Sequence, residues 1–464
     1  MTSEAAARAS AVGSGLLRSG TAIFQRLRGR AVRRLGWGIA DQAVSSLTNF
    51  AVSIYILRTL GAAQFGAFTL AYVTYGFALN ASRGLATDPL LVRFSGTELM
   101  TWRRAVARCT GTAAIVGVVT GACVLGAAAV IGGVPGAAFL ALGLTLPALM
   151  LQDSWRYSFF ALGRGGQAFL NDCIWAVALL PALALLKATG HANVFWFVLA
   201  WGGAAAVAAV AGLLQARVVP WLSGTRDWLL HHRDLGFRYL AEGTSNSAAT
   251  QLRSYGVSLV LGLTALGYVQ AATTLMGPVT ILFLGMGLVL LPEAARLLQR
   301  APQHLFLFCV LTSTGLAVVA LAWGGMLLVA VPRGLGAWLL GGHPHLTWPH
   351  AYPLILPQTL FVMGQAAAGG AGTGLHALGA ARRSLRVAVI SSALFVVFAV
   401  AGAVTEGAAG TVRGAAVSAW IGALVAWWQL RAAMRESPKI PAHHRFWSRR
   451  GPEHGKHRGP RRPA

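Results

Sequence analysis

Two arginines, Arg83 and Arg253, sit inside stretches that are otherwise apolar enough to be buried in lipid. A guanidinium is a planar, permanently charged fork of donors, matched to phosphate or carboxylate oxygens. At the centre of a membrane helix a charge costs roughly 2.5 to 3.5 kcal/mol on insertion scales, so it is retained where it faces an interior or a watered cavity. Arg83 precedes Arg93 by ten residues and Arg253 follows Glu242 by eleven. At 1.5 Å per residue each lies about 15 Å below the membrane face. They imply contact with a substrate in a hydrophilic cavity that has cationic groups at its deep end. Residues spaced by three or four share a helix face, which puts Thr69, Tyr72, Gly76, Asn80, Arg83 and Thr87 on one stripe. Glu242, Asn246, Thr250 and Arg253 form a second, and Asp41, Ser45, Thr48, Asn49 and Ser53 a third. Asn49, Asn80 and Asn246 are therefore expected to face substrate with the arginines. Asp41 and Glu242 are the candidate proton or coupling sites.

The elements that must hold these residues are membrane helices. The chain of 464 residues is 56% hydrophobic and 11% charged, with mean hydropathy +0.61, which excludes a soluble fold. Apolar segments of about 20 residues recur about twelve times, and barrel alternation is absent. The expected class is all-α integral membrane, with about twelve transmembrane helices in two six-helix lobes around a central cavity. Six spans between 35 and 218 make the first lobe and six between 239 and 434 the second. The mixed Trp, Leu and charged stretch 219–238 reads as an interfacial linker helix. Residues 1–34 and 435–464 are basic arms. Shifting the second half back by 201 residues lays Glu242 on Asp41 and Leu261, Gly262 and Gly267 on Leu60, Gly61 and Gly66. An even number of spans per half makes these parallel repeats about an axis along the membrane normal.

Charge fixes the orientation. Lys and Arg total 38 against 13 Asp and Glu, a net +25. The basic residues occupy the two arms and every second connection, including Arg103, Arg104, Arg108, Arg164, Arg217, Arg300 and Arg383. That asymmetry places both termini in the cytoplasm of a bacterial plasma membrane. It assigns the basic arms to anionic lipid rather than nucleic acid. Asp153 and Arg156, three apart, are expected to pair along one helix, and Asp88 and Glu293 to anchor contacts between helices. Cys109, Cys123, Cys173 and Cys309 lack metal or disulfide spacing. His343, His345 and His350 have no acid or thiol beside them, so neither a metal nor another cofactor is expected.

Two stretches carry a family resemblance: RTLGAAQFGAFTLAYVTY, Arg58 to Tyr75, and QDSWRYSFFALGRGGQAFLNDCIW, Gln152 to Trp175. With the twelve-span layout they resemble the polysaccharide flippases of the multidrug, oligosaccharidyl-lipid and polysaccharide exporter superfamily. The resemblance implies export of an undecaprenyl-pyrophosphate-linked oligosaccharide by alternating access, with glycan-assembly enzymes as neighbours. It also implies cavity arginines on the pyrophosphate, a role open to Arg83 and Arg253. Two other functions compete. A cation-coupled drug exporter of the same fold would place acids, not arginines, at depth. A membrane-embedded polysaccharide polymerase or ligase would carry a catalytic carboxylate on a large external loop, and the longest, about 333 to 350, has none.

Overall fold

A computed structural model describes residues 44–95, 97–330 and 348–437. Asp41, the arm 1–34, His343, His345 and the tail beyond Ser437 lie outside the described residues, as do the side chains of Glu242 and Asn246. All regular structure among the described residues is helical. Eight of these helices are long and apolar enough to cross a membrane. The result is a multi-pass, all-α membrane fold.

The first helix, α1, runs Val44–Phe94 over 51 residues. Straight, it would measure about 77 Å, more than twice the roughly 30 Å of bilayer hydrocarbon. The chain solves this by breaking at Gly61, whose φ of 75° is a left-handed conformation that only glycine adopts freely. Four further helices follow, α2 (Leu99–Ile131), α3 (Gly133–Ala161), α4 (Gly165–Ala188) and α5 (Val194–Ala216). The next, α6 (Thr225–Leu275), is again 51 residues long and breaks at Gly262, φ 81°. Then come α7 (Gly277–Arg300), α8 (Leu305–Ala330), α9 (Trp348–Ala377) and α10 (Ala381–Glu436). In α10 the break falls at Glu406 and Gly407. There the chain reverses, since Gly402 lies against the backbone of Gly410 and Gly414 against that of Phe398.

The stretch expected as a separate linker is not separate. After one turn at Leu222–Gly224, α6 runs from Thr225 to Gly262 without interruption. Its first turns grip the first half of the chain: Trp228 donates Nε1–H to the Leu85 carbonyl at 3.1 Å, and Arg93 donates to the His231 carbonyl at 2.8 Å.

Packing within each half is close. α3 lies on α2, α4 and α5, while α9 lies on α7, α8 and α10. One apolar cluster reaches across both halves, from Phe65, Phe68 and Ala71 to Leu266, Ala271 and Leu275. Two smaller clusters follow, one around Trp102 and Trp155 that takes in Trp228 of α6, and one in the second half around Leu298 and Leu430. Between the halves the backbones touch where side chains are missing. Gly66 abuts the carbonyl of Leu263, and Gly267 abuts that of Ala62. Farther along, Gly76 faces the Gln251 amide and Gly277 the Phe50 ring. Each pair becomes the other when 201 is added to one member and subtracted from its partner: Gly66 and Leu263 map onto Gly267 and Ala62, and Gly76 and Gln251 onto Gly277 and Phe50. Reciprocal contact of this kind is the signature of a local two-fold relation.

Candidate functional site

Arg83 does not stand bare. It opens a π-helical turn, Arg83–Thr87, within α1. Such a bulge rotates the side chains of one turn relative to their neighbours. Here Arg83 meets Asp153 on α3 with both prongs of its fork, Nε to Oδ2 at 3.0 Å and Nη2 to Oδ1 at 2.7 Å. The Arg83 side chain is 27% exposed and that of Asp153 3%. The guanidinium also lies 4.9 Å from the centre of the Tyr157 ring. A carboxylate this deep is tolerated because its charge is balanced and its oxygens are bonded.

The pair belongs to a larger polar knot. Arg156 reaches Asp172 on α4 at 3.1 Å and stands only 3.9 Å from Asp153. The pairing expected along one helix is thus the weaker contact of both partners. Gln152 donates to Asn171 at 3.2 Å and to Asp172 at 3.0 Å, and Asn171 donates to the Ala208 carbonyl at 2.8 Å. Every one of these residues except Arg83 and Ala208 falls in the segment Gln152 to Trp175. That stretch is one folded unit, two helices turned back on each other at Gly163. Replacing Asp153 by alanine strands Arg83 in a poorly hydrated place, and loss of about 3 to 5 kcal/mol of stability is expected. Thermal denaturation of the purified protein measures it, and replacing Arg83 and Asp153 together by leucine should recover part of the loss. An unchanged melting temperature in Asp153→Ala would mean that the pair contributes nothing.

Arg253 is different. It is 5% exposed, and among the described residues no carboxylate or hydrogen-bond acceptor meets its guanidinium. Its one contact of note is the face of Phe395, 5.1 Å from the ring centre. The side chain lines a cavity of about 440 Å³ formed by α6, α9 and α10, with Thr273 and Met276 where α6 passes into α7. Hydroxyls and amides supply the remaining polar lining, chiefly Thr250, Gln358, Gln365, Ser391, Ser392 and Ser418, and among the described residues no acidic one lines it. All of the lining comes from the second half of the chain, so Arg253 faces a chamber inside that half. The sequence reading had placed it in a cleft between the halves. Hydroxyl and amide groups around one buried cation can solvate an anion, and they offer a cation no counter-charge.

The other expected site residues are scattered. Asn80 turns its amide back to the Gly76 carbonyl at 2.8 Å, and Asn49 is half-buried on the first part of α1. Glu293 pairs with Arg296 at 3.1 Å on an exposed face of α7, both side chains more than half exposed, a contact within one helix where one between helices was expected. Asp88, beside Pro89 where the π-helical turn rejoins the α-helix, is half-buried. Sequence reasoning missed the serines and glutamines of the Arg253 chamber. Gln358 and Gln365 are seven apart, two turns on one face of α9, and that spacing was their only signal.

No family model matches the chain, and no curated protein matches it either. Solved structures do. The chain is similar to an inward-facing multidrug resistance MATE family transporter of the MOP superfamily, at 15% identity and TM-score 0.66, over 85% of this chain and 96% of that one. It is similar also to the lipid II flippase MurJ in an inward closed conformation, at 10% identity and TM-score 0.67, over 88% of each chain. An outward-facing MATE transporter superposes less well, TM-score 0.54 at 15% identity, over 87% of this chain and 95% of that one. At these identities the likeness is one of fold: the chain is built on the multi-pass, all-α architecture that these MOP transporters share.

Proposed function

We propose that this protein moves a lipid-linked, pyrophosphate-bearing oligosaccharide across the cytoplasmic membrane by alternating access, with Arg253 as the contact for an anionic group. In this reading the breaks at Gly61, Gly262 and Gly407 divide the long helices, the piece of α6 after Gly262 continues through Met276 into α7 as one span, and twelve spans result in two six-span lobes with both termini cytoplasmic. The reciprocal glycine contacts are the two-fold seam between the lobes, and their closure at the Gly61 and Gly262 end corresponds to an inward-facing state. The better superposition on inward-facing structures supports that assignment.

The observation that carries the substrate class is a buried arginine in a chamber rich in hydroxyls and, among the described residues, without an acid. A pyrophosphate cannot cross hydrocarbon unaided, and a guanidinium replaces part of its hydration. An inside-negative potential favours outward movement of anionic groups by about 2.3 kcal/mol per charge per 100 mV. Resetting the empty carrier is assigned to protonation of Asp41 or Glu242, with Asn49, Asn80 and Asn246 as further polar contacts for substrate. Neither Asp153 nor Asp172 is available to a cationic drug, because an arginine already holds each.

Binding to the purified, reconstituted protein tests the substrate class. An undecaprenyl-pyrophosphate-linked saccharide should raise thermal stability, by about 2.7 kcal/mol at a hundredfold excess over Kd. Inorganic pyrophosphate should compete with it. Stabilisation by lipophilic cations with no response to the pyrophosphate lipid would favour the drug exporter and overturn this reading.

A further inference from the structure

A second arginine site lies at the ends of α2 and α5, away from the Arg253 chamber. Arg103, Arg104 and Arg108 of α2 and Arg217, which ends α5, line a pocket of about 670 Å³ with Ala107, Val218, Val219 and Trp221. Arg104 and Arg108 are one helical turn apart on a shared face. Four guanidinium groups around one cavity repel one another, and among the described residues no acidic one lines it. Among the described residues nothing accepts a hydrogen bond from the buried Nε of Arg103 or of Arg108. Like charges facing one another around buried donors are unfavourable on their own, and an anion among them offsets both costs.

The pocket is nevertheless built. The segment after α5 is pressed on α2, with the Trp221 amide donating to the Ala107 carbonyl at 2.7 Å. Gly111 allows the Trp221 backbone to come this close, since a Cβ there would overlap it. The Arg108 guanidinium is stacked 4.9 Å over the Trp221 ring, which fixes its plane. Arg217 adopts a left-handed conformation, φ 51°, the one non-glycine residue with positive φ among the described residues. For a bulky residue this is an outlier, and such strain gathers at ligand clamps.

The rim says what kind of anion fits. Leu214, one turn before Arg217, is 67% exposed, and Val219, Trp221 and Leu222 are 73%, 47% and 53% exposed. Apolar side chains facing outward beside a ring of cations match the boundary where headgroup phosphates meet acyl chains. A free phosphate would use the arginines and leave the apolar rim idle. We infer that this pocket binds the phosphate headgroup of an anionic phospholipid, its acyl chains lying on the apolar rim of α5 and the 219–222 segment. The site is distinct from the basic arms and does not depend on what the protein transports.

The test is native mass spectrometry of the intact, full-length chain in detergent, titrated with phosphatidylglycerol, with phosphatidylcholine and with inorganic phosphate. Phosphatidylglycerol adducts should form in preference to phosphatidylcholine. Arg104→Gln, Arg108→Gln and Arg217→Gln together should weaken them about a hundredfold, since each basic group beside an anionic headgroup contributes roughly a factor of five. A control triple elsewhere, Arg226→Gln, Arg233→Gln and Arg300→Gln, should not. Millimolar inorganic phosphate should leave the lipid adduct in place. Equal loss in both triples would mean that net charge alone attracts the lipid, and displacement by inorganic phosphate would assign the pocket to a free anion. Either result overturns the inference. If the triple does not fold, Arg104→Gln, on an exposed residue, gives the same comparison at about fivefold.

Discussion

Arg253→Ala is expected to abolish export of the lipid-linked oligosaccharide in cells while the protein still inserts and melts as the wild type does. The two halves of that expectation come from one observation. Arg253 is buried without a carboxylate partner among the described residues, so its removal relieves a desolvation cost and leaves no opposite charge stranded. What is lost is the charge-assisted contact to substrate, roughly 1.5 to 3 kcal/mol for each hydrogen bond to a charged group. For a two-pronged contact that is about a hundredfold or more in affinity. Arg253→Lys keeps the charge but not the fork, and should export at an intermediate rate. Arg83→Ala provides the contrast, because it leaves Asp153 only the looser contact with Arg156 and should lower stability before any effect on substrate is seen. Export measured in cells beside melting of the purified variants separates these outcomes. Wild-type export by Arg253→Ala removes the chamber from the transport path.

What the sequence disclosed and what it withheld divide along a physical line. The 201-residue offset was legible because the two turns at Gly61 and Gly262 need the same left-handed backbone, which glycine marks. The helical class was legible because hydropathy and length admit nothing else. That Arg83 and Arg253 interrupt long apolar helices was legible too. Their different surroundings were not. The Arg83 partner, Asp153, is 70 residues away, and helical spacing carries no information about which helix lies alongside. A local rule therefore paired Asp153 with Arg156, three residues on, and missed the better-aligned contact. The same blindness hid the Arg253 chamber, where Thr250 and Arg253 share a stripe but Ser391, Ser418 and Gln358 arrive from two other helices. The 219–238 stretch was expected as an interfacial linker helix of its own, and composition gave no sign that Trp228 is buried against Leu85 or that its helix runs on into the next span.

Gly66→Val and Gly267→Val are each expected to abolish transport, and by the same amount. A Cβ at Gly66 would overlap the Leu263 carbonyl, and one at Gly267 the Ala62 carbonyl. Backbone cannot yield as a flexible side chain does, so the two helices must separate. Overpacking of this sort typically costs about 1 to 3 kcal/mol, and here the cost falls on one conformation. If the crossing exists only when the outer end is closed, valine at either glycine shifts the population toward the open form by that amount, roughly five- to a hundredfold. The shift can be read without assaying transport. In a variant free of other cysteines, Ala62→Cys is expected to be shielded from a membrane-impermeant thiol reagent added outside, as Ala62 is 6% exposed in the closed crossing. Adding Gly66→Val or Gly267→Val should expose it. Gly203→Val, where a Cβ meets nothing within 4 Å, should do neither. Equality between the two glycines is the sharper part of the test, because it follows from the reciprocity of the contact and not from the fact of contact. A large effect at Gly66 with none at Gly267 would mean that the halves meet there without two-fold symmetry, and the seam would then open by some motion other than a symmetric rocking of two lobes.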